Sequence, residues 1–366
     1  AWGVWTVFGT SRSGLGRPLR GKSLGMRTYR RLVPVLACAL AVLLASACGG
    51  GGDDEGGGGA EGFLAGVVSD VGRFNDKGFN QLALQGCQQA EKELGATCRA
   101  LESRSTGDYV PNFARLARDD AGLTVATGFL LAEATNTAAQ RFPDSHFAIV
   151  DYSAKASPFD GERDNVLGLT FQTNENSYVI GCLAALMAKR DGGNTISAVG
   201  GIKIPTVDIF IAGYRAGARE CVPGTKTLID YSQDFVDQAK CKELALNQIQ
   251  AGSKVVFQVA GGCGLGALDA AKEQGVWGVG VDTDQSFLGK HILTSAVKRV
   301  DVAVESVILA AKKGTYKGGT DLNFNLKNKG VAIGKISKQV PAAYVKRMNA
   351  LGAQIMAGKI KPPVKV

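Results

Sequence analysis

Histidine is nearly absent from this chain, whose 366 residues include only His146 and His291. Neither histidine has a cysteine or a second histidine at zinc-ligand spacing, and no Cys-x-x-Cys motif occurs. Residues 63–366 also lack the G-x-x-x-x-G-K-[ST] phosphate-binding loop and the G-x-S-x-G nucleophile elbow. We therefore expect no resident metal and no cofactor, and neither P-loop nor serine-hydrolase chemistry.

A strong excess of one charge is missing from most of the chain. The 42 Lys and Arg outnumber the 33 Asp and Glu, but residues 1–48 hold seven of these bases and no acid. The remainder carries 35 bases against 33 acids and is close to neutral. Because nucleic-acid binding requires a concentrated positive surface, we expect no nucleic-acid partner.

Long apolar runs are missing beyond residue 47, so no permanent membrane span is indicated there. Residues 26–31 are basic, and residues 32–47 form a short apolar run, which together are typical of a signal peptide at 26–47. The sequence Leu-Ala-Ser-Ala before Cys48 resembles a bacterial lipoprotein cleavage site, in which the cysteine takes the lipid, palmitate included. The alternative is an ordinary signal peptide with an incidental cysteine.

The segments on either side of this signal have no pattern of a folded domain. Residues 1–25 are interpreted as a leader that is either unstructured or untranslated. Residues 48–62 are rich in glycine and acids and are typical of a flexible tether. This arrangement predicts a protein attached by lipid to the extracytoplasmic face of the cell membrane.

From residue 63 the hydrophobic pattern alternates between strands and helices, which predicts parallel sheets covered on both faces. Ten strands are predicted, at residues 64–69, 97–101, 123–127, 146–150, 166–171, 195–199, 226–229, 254–258, 277–281 and 292–296. The clearest helices fall at residues 79–94, 109–121, 174–190, 207–220, 235–250, 300–313 and 341–357. Ten strands are too many for one ordinary sheet, so we expect an α/β protein of two doubly wound lobes.

The chain is expected to cross between these lobes several times and so to form a multi-segment hinge. The first lobe is predicted to comprise residues 63–171 and 285–320. The second is predicted to comprise residues 172–284 and 321–366. A hinge between two sheets makes a cleft that can close on a ligand.

Acidic side chains follow three of the predicted strands, namely Asp70, Asp151 and Asp282. The carboxyl ends of parallel strands meet at one edge of a sheet, where α/β proteins bind ligands. Carboxylates there suit the hydroxyl and N–H groups of a nucleoside or sugar. They could instead be paired catalytic acids or ligands of Mg²⁺ or Ca²⁺, but no His, Ser or Cys accompanies them and they are scattered along the chain.

Two aromatic residues open helices at matched positions after a strand, Phe79 in the loop of residues 70–80 and Phe210 after Gly200-Gly201. Two such rings could stack on both faces of a base. The alternative is that both fill the hydrophobic core and that Asp76 caps the first helix. The glycines of residues 261–266 lack the dinucleotide-binding spacing and favour close backbone approach to a ligand instead.

Six cysteines remain beyond the signal, and an even number outside the cytoplasm suggests disulfides. The pairs suggested by neighbouring elements are Cys87 with Cys98 and Cys221 with Cys241. Elimination then leaves Cys182 with Cys263.

Five motifs occur in the order found in the basic membrane protein family, which contains the purine nucleoside-binding lipoproteins of ABC importers. They are Asp70-Val71-Gly72…Asp76-Lys77-Gly78-Phe79-Asn80, Gly200-Gly201…Phe210-Ile211-Ala212-Gly213-Tyr214, Gly261-Gly262-x-Gly264-Leu265-Gly266, Val281-Asp282-x-Asp284-Gln285 and Thr294-Ser295-x-x-Lys298-x-Val300-Asp301. The resemblance spans about residues 63–361 and implies a type I periplasmic-binding-protein fold.

The resemblance also implies roles for particular residues. Phe79 and Phe210 would sandwich the purine, and Asp151 would bond the edge of the base. The remaining contacts would be pocket walls from Asp70 and Asn80, ribose hydrogen bonds from Asp282 and Lys298, and backbone contacts from Gly262.

We therefore expect a monomeric, non-enzymatic receptor that binds a purine nucleoside such as guanosine, inosine or adenosine and delivers it to ABC permease subunits. The alternatives are a binding protein for a sugar or signal molecule, a nucleoside hydrolase using the clustered acids, and a surface sensor or adhesin without a transporter.

Overall fold

The structure is a computed structural model that describes residues 62–366. The predicted leader, the signal peptide, Cys48 and nearly all of the tether therefore lie outside the described residues. Within residues 62–366, twelve strands form two six-stranded sheets. The strands are β1 Leu64–Val68, β2 Thr97–Leu101, β3 Leu123–Ala126, β4 Phe147–Val150, β5 Val166–Phe171, β6 Thr195–Gly200, β7 Lys226–Tyr231, β8 Ser253–Val259, β9 Trp277–Asp282, β10 Ile292–Lys298, β11 Thr320–Phe324 and β12 Val331–Ile333.

Nine α-helices of the same described residues cover the faces of the two sheets. They are α1 Phe79–Leu94, α2 Tyr109–Arg118, α3 Ala132–Arg141, α4 Thr173–Arg190, α5 Pro205–Cys221, α6 Gln238–Gln250, α7 Gly264–Glu273, α8 Val300–Lys312 and α9 Ala342–Met356.

The two sheets have the same strand order. The first runs β11-β5-β4-β3-β1-β2 and is parallel throughout, and the second runs β12-β10-β9-β8-β6-β7 and is parallel except for the β10–β12 pair. In each sheet the order reverses beside the first strand, β1 or β6. Such a reversal opens a crevice at the carboxyl ends of the strands, so each sheet has a place for a ligand.

The central strands are apolar runs because helices cover both of their faces. Every residue of β3 and β4 is buried, whereas no residue of the edge strand β2 is fully buried. In the first sheet one core lies under α1 and α8 and another under α2 and α3. In the second sheet α4, α5 and α9 cover one face, and α6 and α7 cover the other.

The chain passes between the sheets at residues 171–173, 298–300 and 324–331. Hydrogen bonds tie these three crossings together, with the Gln172 N–H donating to the Phe324 carbonyl over 2.7 Å and the Arg299 N–H to the Gly330 carbonyl over 2.9 Å. The expected multi-segment hinge is therefore present in the fold.

Two of the predicted lobe assignments are wrong in part. Within residues 285–320, predicted for the first lobe, β10 pairs with β9 of the second sheet, whereas α8 and the residues after it pack against the first sheet. Within residues 321–366, predicted for the second lobe, β11 pairs with β5 of the first sheet, whereas β12 and α9 belong to the second. The sequence does not predict the short strands β11 and β12. Most of their residues are not buried, so their hydrophobic residues do not show a clear strand periodicity.

The structure joins Cys87 to Cys98, which was the first predicted pair. The other two predicted pairs are wrong, because the bonds are Cys182–Cys221 and Cys241–Cys263.

The physical reason is that β7 separates α5 from α6 in the chain, and the two helices cover opposite faces of the second sheet. Cys221 therefore meets its neighbour α4, against which α5 packs very closely. A Cβ added at Gly217 would lie 1.7 Å from the Tyr178 carbonyl oxygen of α4. Cys263, just before α7, meets Cys241 of the adjacent helix α6.

Candidate functional site

A cavity between the two sheets is lined by residues from the carboxyl ends of strands in both. It encloses about 600 Å³ of space not filled by atoms, part of it open to solvent. All eight residues that the resemblance named as ligand contacts line this cavity. They are Asp70, Phe79, Asn80, Asp151, Phe210, Gly262, Asp282 and Lys298.

The loop after β1 is fixed by reciprocal hydrogen bonds between Asp70 and Asn80. The Asp70 N–H donates to Asn80 Oδ1 over 3.0 Å, and Asn80 Nδ2 donates to Asp70 Oδ1 over 2.7 Å. The Gly72 N–H donates to the same Asp70 oxygen, also over 2.7 Å. Among the hydrogen bonds of residues 62–366 none reaches Asp70 Oδ2, so this oxygen can accept from a group in the cavity.

Asp76 caps the first helix, as the structural interpretation of this loop predicted. Its Oδ1 accepts from the N–H groups of Gly78 and Gln81, and its Oδ2 accepts from the N–H of Asn80 over 2.8 Å. A carboxylate at this position satisfies the free N–H groups of a helix start and is favoured by the helix dipole. Asp76 thereby holds Phe79 and Asn80 in place at the cavity wall.

Phe79 and Phe210 come from helices of different sheets and lie near the same ammonium group. Lys298 Nζ is 4.5 Å from the centroid of the Phe79 ring and 5.8 Å from that of Phe210. Phe210 is only 3% exposed and packs edge-on against Phe257 at 6.3 Å. Phe210 is thus a core residue that also lines the cavity, so the two interpretations of this ring are compatible.

A glycine at the end of the third strand sets the position of the Phe79 ring. Gly128 has a φ of +111°, and a Cβ added to it would lie 2.9 Å from Cε1 of Phe79. Any other residue would be strained here and would push against the ring.

A buried ion pair joins the two sheets across the cavity. Asp151 follows β4 of the first sheet, Lys298 ends β10 of the second, and Lys298 Nζ donates to Asp151 Oδ2. The exposed fractions of these side chains are only 10% and 2%. Burial raises the pKa of Asp151, and the Lys298 ammonium opposes that shift.

Asp151 and Asp282 lie at the carboxyl ends of β4 and β9, and both have left-handed φ values, of 64° and 63°. Aspartate tolerates this region better than most residues do. Among the hydrogen bonds of residues 62–366, none reaches the Asp282 carboxylate. Burial raises the pKa of Asp282 to about 7, a shift that the Lys298 ammonium opposes and nearby carboxylates reinforce.

The cavity is an acidic environment. Four carboxylates line it, those of Asp70, Asp76, Asp151 and Asp282, together with the single ammonium of Lys298. Burial also raises the pKa of Asp70 to about 6, although the Gly72 N–H and the Asn80 amide counteract it. A ligand with hydrogen-bond donors and no negative charge fits such a site, whereas an anion would be repelled.

The glycine loop after β8 brings backbone to the cavity, as its composition predicted. Gly261 and Gly262 line the cavity, and the N–H of the next residue, Cys263, donates to the Phe235 carbonyl over 3.0 Å. A Cβ added at Gly262 would lie 3.9 Å from Cβ of Asp76, which belongs to the opposite wall.

Two further aromatic residues line the cavity and were missed from the sequence, Phe129 and Phe235. Phe129 directly follows Gly128, just after β3. An aromatic residue directly after a predicted strand is the sequence feature that could have identified it. Phe235 was assigned to a helix at residues 235–250, but α6 begins only at Gln238, because the Asp237 side chain caps it by accepting from the Ala239 N–H. Phe235 therefore lies in a loop at the cavity wall.

Residues 63–365 match the model of the Bmp family, described as ABC transporter substrate-binding protein PnrA-like. This chain belongs to the Bmp family. The ABC transporter nucleoside-binding protein BmpA of Lactococcus lactis is 33% identical over 362 residues, covering 92% of this chain and 99% of that protein. A lipoprotein of Pyrococcus horikoshii is 34% identical over 309 residues, covering 81% of this chain and 75% of that protein.

Solved structures agree on the fold. An ABC transporter solute-binding protein from Aeropyrum pernix superimposes with a TM-score of 0.74 at 24% identity, covering 82% of this chain and 92% of that one. The family match makes this chain an ABC transporter substrate-binding protein, and the superposition shows that its fold is the type I periplasmic-binding-protein fold. These relatives are named as binding proteins or lipoproteins, and none of the three is named as an enzyme.

The described part of the chain lacks both a membrane-spanning helix and a metal-binding cluster. No helix of residues 62–366 is both long and apolar enough to span a bilayer. In the same residues, no group of three or more His, Cys, Asp or Glu side chains is arranged to hold a metal ion.

Proposed function

We propose that this Bmp-family protein is a lipid-anchored receptor that binds purine nucleosides between its two sheets and delivers them to an ABC permease. The observation that carries the proposal is the pair of rings, Phe79 and Phe210, that reach one acidic cavity from opposite walls. A purine offers two flat faces to such rings and N–H and hydroxyl donors to the carboxylates. The name of the Lactococcus lactis relative, a nucleoside-binding protein, supports the same ligand class.

The geometry suggests how the base would be held. The ammonium of Lys298 lies close to both rings, so a base stacked between them would displace it. The flexible lysine side chain would then turn towards the sugar. Oδ1 of Asp151 accepts none of the hydrogen bonds within residues 62–366. This oxygen would accept a hydrogen bond from the edge of the base.

The sugar would lie against the opposite group of polar residues. Asp282 offers two carboxylate oxygens that no described hydrogen bond occupies, and ribose offers adjacent hydroxyl donors. Lys298 would donate to the same hydroxyls, and backbone groups of Gly262 would complete the wall. Asp70 and Asn80 would line the pocket on the side of the first sheet.

Closure of the hinge would bury most of the nucleoside and would give the permease a distinct loaded form to recognise. Because the three crossings between the sheets lie together, the two lobes would rotate about an axis that passes near them. The signal-like segment at residues 26–47, Cys48 and the glycine-rich tether support attachment to the membrane, as does the name of the Pyrococcus relative.

The proposal is tested by calorimetry of the full chain in detergent with adenosine, inosine, guanosine, ribose and a hexose. We expect one nucleoside per protein molecule, with micromolar or tighter affinity, and no measurable binding of the free sugars. Binding of a sugar without any nucleoside would contradict the ligand class. Conversion of a nucleoside to base and ribose during the titration would contradict a purely receptor function.

A further inference from the structure

Two buried glutamines connect the strand ends that form the second-sheet wall of the ligand cavity. Gln258 lies in β8, just before the glycine loop, and Gln285 lies in the turn after β9, just beyond Asp282. Their side chains are 0% and 1% exposed, and neither lines the cavity. Gln258 Nε2 donates to Gln285 Oε1 over 2.8 Å, so the two amides form a pair behind the wall.

The pair lies where the backbone pairing of β8 with β9 stops. That pairing ends at Phe257 of β8. Beyond it, the glutamine amides serve as the partners of backbone groups, because the Ala260 N–H donates to Gln258 Oε1 over 3.1 Å and the Val281 N–H donates to Gln285 Oε1 over 3.2 Å. A buried N–H without a partner is costly, so the pair stabilises both strand ends in this position.

Two glycines make room for these amides. A Cβ added at Gly264 would lie 1.8 Å from Gln258 Oε1, and one added at Gly280 would lie 2.8 Å from Gln285 Oε1. A larger residue at either position would displace an amide from its partners. The Gln285 N–H also donates to Ser295 Oγ over 3.0 Å, which fixes the backbone of this residue.

The pair also contacts the first sheet. Gln285 Nε2 donates to the Lys77 carbonyl over 3.5 Å, which is longer and therefore weaker than the other hydrogen bonds of the pair. Lys77 belongs to the loop that carries Phe79. The end of β9 is thus connected to the loop that supplies one of the two rings.

We propose that Gln258 and Gln285 are positioning residues for nucleoside binding, which hold Asp282 and the glycine loop where the ribose hydroxyls require them. The inference rests on the proposed function, because it takes the ribose to lie against Asp282. The position of the Asp282 carboxylate depends on its backbone, and the preceding residue, Val281, is held by Gln285. Loss of the pair therefore weakens binding of the sugar hydroxyls more than binding of the base.

The test is calorimetry of the full chain in detergent with inosine and with 2′,3′-dideoxyinosine, which lacks both hydroxyls. The unaltered protein should bind inosine at least about tenfold more tightly, because the dideoxy compound leaves Asp282 without donors. Gln285→Met removes the amide and keeps the length of the side chain, and it should lower this preference at least about threefold by weakening inosine binding. Gln258→Met should do the same, and the double variant should lose at most about twofold more, because the two amides act together.

Gln248→Met is the matched control. Gln248 is also buried, and its Nε2 donates to the Ala198 carbonyl over 3.0 Å and to Asp230 Oδ2 over 2.8 Å, but it does not contact the pair. This variant should lower the melting temperature and leave the preference for inosine unchanged within about twofold.

Each other outcome contradicts a stated part of the account. If the methionine variants keep the full preference, or lose affinity for both compounds equally, the inference is wrong and the proposed function stands. Equal binding of the two compounds by the unaltered protein would overturn the ribose contact of Asp282 and the inference with it, while nucleoside binding would stand. If neither compound binds, the proposed function has failed and the inference falls with it.

Melting curves show whether the methionine variants are folded. Ser295→Ala gives an independent result if they are not, because it removes only the acceptor of the Gln285 N–H. It should lower the preference for inosine by about twofold or more, and an unchanged preference would overturn the inference.

Discussion

Phe79 and Phe210 face the same cavity from different surroundings. Phe79 is half-buried, and its ring is positioned by the close approach of Gly128. Phe210 is almost fully buried and also packs against Phe257. Loss of the first ring should therefore affect binding more than folding, whereas loss of the second should affect both.

Replacing either ring by alanine is expected to weaken adenosine binding by about 1–3 kcal/mol, which is the usual contribution of stacking one base on an aromatic side chain. Calorimetry measures this loss, and Phe210→Ala should in addition lower the melting temperature through its cavity in the core. Phe142→Ala, which removes a half-buried ring away from the cavity, is the matched control and should leave the dissociation constant unchanged. Unchanged affinity in both cavity variants would rule out stacking.

Asp282 is expected to make ligand binding depend on pH. Its pKa is raised to about 7, so the protonated form dominates below that value, and only the ionised form offers all its oxygens as acceptors. The affinity for adenosine, whose base does not titrate in this range, should rise between about pH 5.5 and pH 8.5, by at most about tenfold per unit below the pKa. Calorimetry across this range should show the rise, and Asp282→Asn should bind weakly with a flatter profile.

The stability of the ligand-free protein should change with pH in the opposite direction. The folded state binds a proton on Asp282 between its ordinary pKa of 3.8 and the raised value of about 7, whereas the unfolded state does not. The free energy of unfolding therefore falls as the pH rises through this range. Melting temperatures that rise from pH 5 to pH 8 would contradict the assignment of Asp282 as a buried, unpaired acid.

Among single residues, those at strand ends were the most predictable. Asp70, Asp151 and Asp282 were found because an acid directly after an apolar run is visible in the sequence and parallel strands share one carboxyl edge. Phe235 was not found, because its loop has no period and its place depends on where the Asp237 cap starts α6. The contact between Lys298 and Asp151 depends on how the two sheets face each other, which no local pattern specifies.

The glycine loop is the element whose anchoring matters most for the cavity. Gly261 and Gly262 line the cavity, and the next residue, Cys263, is bonded to Cys241 of α6. This disulfide holds the loop against the second sheet. The Cys87–Cys98 disulfide joins α1 to β2, and neither of its cysteines lines the cavity.

Removing the Cys241–Cys263 bond with a pair of serine substitutions should lower both stability and affinity. We expect a loss of about 2–4 kcal/mol in the free energy of unfolding, because the unfolded chain gains freedom, and weaker nucleoside binding because the glycine loop is less fixed. Denaturant titration and calorimetry measure the two effects. The same substitutions at Cys87 and Cys98 should lower stability alone, and equal losses of affinity in both variants would contradict the role of the loop.

At the level of elements, the strongly periodic segments were predictable and the pairings were not. The ten predicted strands correspond to β1 to β10 because their apolar runs are long and bounded by turns. The strands β11 and β12 and two of the disulfides required knowledge of which segments meet in space. The assignment of β10 to the first lobe failed for the same reason, since its sequence does not show that it pairs with β9.

For the whole molecule, the relation between the two sheets depends on the three crossings and on the ion pair between them. Phe171 and Phe324 at two crossings stack at 4.9 Å, and Lys298, at the third, lies 5.1 Å from the Phe171 ring. The Lys298–Asp151 pair then spans from the second sheet to the first. Lobe closure and ligand binding are thus expected to depend on the same residue, Lys298.

Lys298→Met is expected to destabilise the whole protein by about 3–5 kcal/mol, because it leaves the buried Asp151 carboxylate without its partner. The double variant Lys298→Met with Asp151→Asn should recover part of this loss, since it leaves no buried charge from the pair. Denaturant unfolding provides the measurement. Lys203→Met, which breaks an exposed pair with Asp208, is the control and should leave stability nearly unchanged.

The position of the base relative to the two rings is the central claim, and a crystal structure of the protein grown with inosine tests it most directly. We predict the purine between the Phe79 and Phe210 rings, with the ribose hydroxyls on Asp282 and the Lys298 ammonium moved away from the rings. Inosine bound outside the space between these two rings, or a cavity in which only a sugar or another molecule is held, would contradict the account.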